Sequence, residues 1–357
     1  MKINKTILIF FLQLILVAGV MAKPDTKCGT IPVLEEFRRG IKLPRPSSGP
    51  KYVYSTHFII HFDTTGARAC TRAYAESTSK YAEYSWAKAV DTLKWAAPPP
   101  DGSSGGDSRY DIYIRSLSYL GVTSTESWYT SPYPDGAISY IEVDHSITPF
   151  PGELKVTVAH EFNHACQFRY SAVENSFWYE NTATWMEDIC YDNVNDYVNY
   201  LFYSTPNPLD STYYPITNGT NLYWYAGALW AMFLQECYGD SCPRKAWERM
   251  GTISGQNTLS GIDYALSNYF GSNLFTALKK YAIWRYFTGT RADVTYHFSE
   301  SNLWPTSVLL ATHNTYPASG NQGTRPPSGP GGVGPTSSDL TQAPRGAEPN
   351  IRRSGRV

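Results

Sequence analysis

Residues 138–170 read ISYIEVDHSITPFPGELKVTVAHEFNHACQFRY, and two hydrophobic periods meet within them. Ile138 to Val143 is rich in β-branched and aromatic residues and predicts a strand. After Pro151-Gly152 the register changes: Glu153-Leu-Lys-Val-Thr-Val-Ala continues into the next residues with Val156 and Ala159 apolar, which predicts a buried helix. Working outward, YVYSTHFIIHF (Tyr52 to Phe62) predicts a strand, with Phe58, Ile60 and Phe62 on one face and His57, Ile59 and His61 on the other. A helix is expected from about Thr71 to Trp95 and a further strand over Tyr110 to Ile114. Downstream only helical patterns follow, at 177–188 and about 194–203, 223–237, 242–250, 258–269 and 273–287. This order predicts an α+β fold: a small mixed or antiparallel sheet with a long helix, then a mostly helical lobe, with the site at the junction.

The chemistry lies in VAHEFNHACQFRY (158–170), where His160, Glu161 and His164 form an HExxH element. At about 100° per residue, positions four apart lie nearly one above the other, so His160 and His164 can offer two imidazole nitrogens to one metal ion. Glu161, one step round the turn, is near enough to act on a metal-bound water without being a ligand. A catalytic zinc site needs a third protein ligand and an open position. In FWYENTATWMED (177–188), Glu180 stands among Phe177, Trp178, Tyr179, Ala183, Trp185 and Met186, where an unpaired carboxylate is costly to bury. Glu180 is therefore the expected third ligand. Glu187, seven residues on, returns to nearly the same face and can hydrogen-bond a ligand histidine. Cys166, about 240° round from His160, is expected to face away from the metal.

HExxH followed after 15 residues (165–179) by a Trp/Tyr-Glu-x-x-Ala-x-Trp-x-Glu helix resembles the gluzincin zinc peptidases, and most closely a bacterial family of secreted metallopeptidases. The resemblance covers roughly residues 155–190. It implies His160, His164 and Glu180 as zinc ligands, Glu161 as general base and Glu187 as a supporting acid. The glycine that follows the third ligand in many gluzincins is Asn181 here. The resemblance also implies a proton donor that stabilises the oxyanion, placed near the start of a late helix before a glycine. Tyr223 and Tyr225, ahead of Gly227 in NLYWYAGALWAMFLQ (221–235), both match loosely. The alternative for either is an aromatic core stripe.

Thirty Lys+Arg against 31 Asp+Glu give a net charge of −1, which offers no electrostatic argument for nucleic acid or an anionic membrane. Residues 1–22 carry a basic start, an apolar stretch from Ile7 to Val20 and a small-residue cleavage site at Val20-Met21-Ala22, so they read as a signal peptide and the chain as secreted. Residues 23–50 are Pro-rich and are expected to be irregular. A catalytic domain is expected over 51–317, and the Pro/Gly/Ser-rich residues 318–357 as a disordered tail. Six cysteines in an exported chain predict three disulfides; fifteen pairings are open to them, of which proximity along the chain suggests Cys237–Cys242, Cys28–Cys70 and Cys166–Cys190. A latency thiol at Cys28, in Lys27-Cys28-Gly29-Thr30, is the alternative. His57 and His61 are expected on a half-exposed strand face. The run Asp101 to Asp107 reads as a loop or hairpin, with calcium as the sharper alternative.

Together these readings predict a secreted, monomeric peptidase holding one Zn2+ per chain and acting on a peptide or protein substrate. The alternatives are a binding protein or adhesin that keeps the zinc fold as a scaffold, and a zinc hydrolase of other amide or ester bonds. Intact Glu161 speaks for catalysis, because a scaffold needs the ligands but not the base.

Overall fold

The computed structural model describes residues 27–47, 49–147, 152–219 and 222–309; the expected signal peptide and C-terminal tail lie outside the described residues. The fold is α+β. The chain divides into two compact units, the first running to Ala172 and the second starting at Val173.

The first unit is built on a five-stranded mixed sheet of order β1-β2-β3-β5-β4. Its strands are β1 (Lys51–Tyr54), β2 (Phe58–Phe62), β3 (Tyr110–Arg115), β4 (Gly121–Trp128) and β5 (Ala137–Asp144). β2, β3 and β5 run parallel, and the outer strands β1 and β4 are antiparallel to their neighbours. Among its described residues this unit has the α-helices α1 (Thr30–Arg38), α2 (Arg72–Trp86) and α3 (Glu153–Tyr170). The Thr71 hydroxyl accepts the Tyr74 N–H at 3.1 Å and so fixes the start of α2, which continues into a π-helical turn, Ala87–Thr92. α2 connects the parallel strands β2 and β3, as a crossover must. Against the sheet, Phe58 meets Phe162 of α3 at 5.5 Å between ring centroids, and Trp86 of α2 meets the same ring at 5.7 Å.

Several expectations change here. The strand expected over 52–62 is a hairpin, turned at Ser55–His57, where Ser55 N donates to the Phe58 carbonyl at 3.0 Å. Every residue of β2 is buried, so His61 is not half-exposed: its Nε2 lies 2.5 Å from Asp111 Oδ1 and its ring stacks on Tyr113 at 4.2 Å. His57 sits in the turn instead, 2.7 Å from Glu83 and stacked on Trp86 at 4.0 Å. The Asp101–Asp107 run is a loop, and Asp101 and Asp111 both pair with Arg45, which also bonds Glu126. The segment 23–50, expected to be irregular, contains α1. That helix buries Ile31, Leu34 and Phe37 and packs on β4, with Phe37 4.6 Å from Trp128.

The second unit is helical among its described residues: α4 (Ser176–Cys190), α5 (Val198–Tyr203), α6 (Tyr223–Ala226), α7 (Ala228–Tyr238), α8 (Cys242–Gly251), α9 (Thr258–Tyr269) and α10 (Leu274–Tyr286). The Asn175 carboxamide caps α4 by accepting the Phe177 N–H at 3.3 Å. The helix expected over 223–237 breaks at Gly227 into α6 and α7. A Cβ there would stand 2.5 Å from Asn181 Nδ2, whose N–H donates to the Trp224 carbonyl at 2.7 Å. The small residue thus permits the close approach of α4 that the Ala-Gly-Ala run suggests. An aromatic core of Trp230, Phe233, Tyr281, Trp284 and Phe298 fills the unit.

Candidate metal centre

α3 carries the HExxH residues and is buried on all sides: of Glu153–Tyr170 only Lys155 and Arg169 are not buried. A helix buried all round needs its polar side chains satisfied inside the protein. His160 and His164, both fully buried, are brought together as one turn of helix requires, with their Nε2 atoms 3.1 Å apart and their rings edge-on at 84°. His164 Nδ1 lies 2.7 Å from Gln167 Oε1, and Gln167 Nε2 in turn donates to Asn163 Oδ1 at 2.7 Å. Because a carboxamide oxygen only accepts, this bond puts the His164 proton on Nδ1 and turns the Nε2 lone pair toward His160. Burial, and next the neighbouring His160, hold His164 well below the usual histidine range, which keeps it neutral as a ligand must be.

A third donor comes from a part of the chain read as irregular. The Cys28 sulfur lies 3.5 Å from His164 Nε2, and it groups with both histidine nitrogens within 4.8 Å. Tetrahedral zinc with its usual bond lengths separates two nitrogens by about 3.3 Å and nitrogen from sulfur by about 3.6 Å. The observed 3.1 and 3.5 Å match that geometry, and two imidazoles with a thiolate are a donor set suited to zinc. The residues present therefore fit the metal.

Glu161 is 1 % exposed and its carboxylate is held by two threonines. Thr30 Oγ1 donates to Oε2 at 3.0 Å while accepting the Thr123 N–H at 2.8 Å. Thr123 Oγ1 lies 2.7 Å from the same oxygen and 2.9 Å from the Glu161 carbonyl. Space for the side chain comes from Gly121 at the start of β4, where a Cβ would stand 2.7 Å from Glu161 Cγ. Sequence reasoning missed Thr30, Thr123 and Gly121, which are remote along the chain and carry no local signal. Gln167, three residues past His164 on the same helix, could have been found from spacing alone.

The other expected site residues belong to the second unit. Glu180 and Glu187 lie on α4, 0 % and 2 % exposed. Tyr223 is buried beside Tyr214 and Tyr281, and burial, with Tyr281 next, pushes its hydroxyl above the usual tyrosine range. Tyr225 is fully buried, its ring 5.0 Å from Tyr200.

The three disulfides expected from cysteine count are absent: none of Cys28, Cys70, Cys166, Cys190, Cys237 and Cys242 is in a disulfide. For Cys28 the reason is positional. Its backbone bridges Gly121 of β4, and its sulfur is turned to His164. Cys166 is buried and is not among the grouped donors. Among the described residues no helix is long and apolar enough to cross a membrane. No protein-family model and no curated protein matches the chain.

Proposed function

We propose that this protein is a zinc-dependent hydrolase, and specifically a peptidase, with His160, His164 and Glu180 as the metal ligands and Glu161 as the general base. The observation that carries this reading is a buried, threonine-held carboxylate on the same helical turn as two histidines, directly after His160 and three residues before His164, whose Nε2 atoms converge at 3.1 Å. A closed structural site has no use for such a carboxylate, and burying one has a cost. The resemblance to gluzincins noted above points to peptide bonds.

Bound zinc would supply Lewis acidity, which polarises the scissile carbonyl and acidifies water. The chain's own residues do the rest. Gln167 fixes the His164 tautomer and ring orientation. Thr123 keeps the Glu161 carboxylate in one rotamer, from which Oε takes a proton from the attacking water and later returns it to the leaving amine nitrogen. Tyr225 or Tyr223 is the candidate donor to the oxyanion. The burial of α3 excludes bulk water from the ligand set. In this reading the protein is secreted and monomeric and acts on a peptide or protein substrate.

The test is a mixed peptide library incubated with the zinc-loaded full chain, with and without chelator, beside Glu161→Gln. Chelator-sensitive cleavage lost in the Gln variant is the expected result. A zinc-loaded chain that cleaves nothing, whether Cys28 is intact or replaced, contradicts it. The second reading, a closed non-catalytic zinc site, is favoured by one observation, the sulfur of Cys28 among the donors.

A further inference from the structure

We propose that residues 27–38 are an inhibitory segment: Cys28 supplies a thiolate at the position a substrate or water needs on the metal, while Thr30 occupies Glu161, so that the chain as folded is latent. The inference rests on the hydrolase reading above and explains why that site carries a donor beyond the set a catalytic zinc needs.

Two contacts made by one short segment carry it. Cys28 Sγ is 3.5 Å from a ligand nitrogen, and two residues on, Thr30 Oγ1 donates to the general base at 3.0 Å. The same segment therefore engages both halves of the chemistry, the metal donors and the proton acceptor. A structural site requires the first contact but not the second.

The sulfur is also held for the task. Leu120 N donates to the Lys27 carbonyl and Gly29 N to the Gly121 carbonyl, each at 2.9 Å, which pins Cys28 beside the start of β4. The Thr30 N–H, in the first turn of α1, donates to Sγ at 3.3 Å, an arrangement suited to an anionic sulfur. α1 then anchors the segment by burying Ile31, Leu34 and Phe37, and the Arg38 guanidinium donates to the Ala172 carbonyl at 2.8 Å.

A release point follows at once. Residues 39–44, Arg-Gly-Ile-Lys-Leu-Pro, are all exposed and include two basic residues, Arg39 and Lys42. The next residue, Arg45, is tied to Asp101, Asp111 and Glu126, so the body of the unit keeps its hold on the chain beyond a cut. Hydrolysis after Arg39 or Lys42 by a trypsin-like peptidase adds one water across one peptide bond and severs the covalent link to the segment, so that it is held by non-covalent contacts alone and carries Cys28 and Thr30 away when it dissociates. The activating partner is thus a peptidase specific for basic residues.

The experiment loads the full chain with Co2+ in place of zinc and records its spectrum before and after limited trypsin digestion, with Cys28→Ser in parallel. Thiolate ligation gives a near-ultraviolet charge-transfer band that histidine and carboxylate donors do not. The expected result is that this band is present in the full chain and lost both in Cys28→Ser and after release of the cut segment, with the visible cobalt bands retained. Zinc-loaded samples of the same two forms should gain chelator-sensitive peptidase activity of about tenfold or more, as expected if under ~10 % of intact molecules are open. Absence of the band in the intact chain overturns the proposal, and if that chain is already an active peptidase the hydrolase reading survives alone. A band that disappears together with the cobalt, with no activity gained by either form, overturns both in favour of a closed structural site. Should Cys28→Ser fail to fold, the trypsin arm decides by the same readouts.

Discussion

A glutamate at 1 % exposure needs hydrogen-bond partners inside the protein, and Glu161 has the Thr123 and Thr30 hydroxyls. Replacing it by Gln preserves shape and removes the proton acceptor. Glu161→Gln should therefore bind zinc with unchanged stoichiometry and lose at least ~10²-fold in kcat, the usual scale for a general base. Stopped or steady-state peptide hydrolysis on matched, metal-assayed samples checks this. His164 is arranged one step further out, by Gln167. Gln167→Ala frees the imidazole to choose the wrong tautomer, and the apparent zinc affinity should fall about 10- to 100-fold, measurable by competition with a chromophoric chelator. At this scale the histidines and Glu161 were legible because their relation is local, within one helical turn. Cys28 was legible only as the second reading, a latency thiol: its contact with His164 spans 136 residues, and cysteine parity in an exported chain favoured a disulfide instead.

Elements whose apolar period is unbroken were read closely from sequence. α9 covers 258–269 as expected, and α4 and α10 differ from expectation by one or two residues at their ends. β4 escaped because GVTSTESW is dominated by Ser and Thr and reads as a loop, although its residues through Thr125 are buried. Those polar residues are buried for a reason, since Thr123 bonds the Glu161 carboxylate. α1 escaped because Pro-rich flanks masked the short apolar pattern TIPVLEEF, and β1 and β2 were fused because a three-residue turn of Ser, Thr and His interrupts the alternation without glycine or proline. Two close approaches between elements give predictions. Gly121→Ala places a Cβ 2.7 Å from Glu161 Cγ, so activity should fall while zinc content holds. Gly227→Ala places one 2.5 Å from Asn181 Nδ2 and breaks the close passage of α4. Overpacking of this kind costs ~1–3 kcal/mol, and Tm measured by calorimetry should drop by several degrees at about 2–4 °C per kcal/mol.

Across the whole molecule, a net charge of −1 leaves recognition to local chemistry, and the buried side chains that could hold a metal ion are its most specific feature. The fold class was legible because a strand-rich half precedes a helical one. The division at Ala172 was not, because α3 and α4 carry one continuous motif through it. Zinc content measured by mass spectrometry on the purified full chain, beside His164→Ala and Glu180→Ala whose folding is verified by circular dichroism, decides whether these residues hold a metal. One zinc per chain is expected in the wild type, and its loss, at least under mild chelator, in both variants. Folded variants that both retain stoichiometric zinc would contradict that assignment.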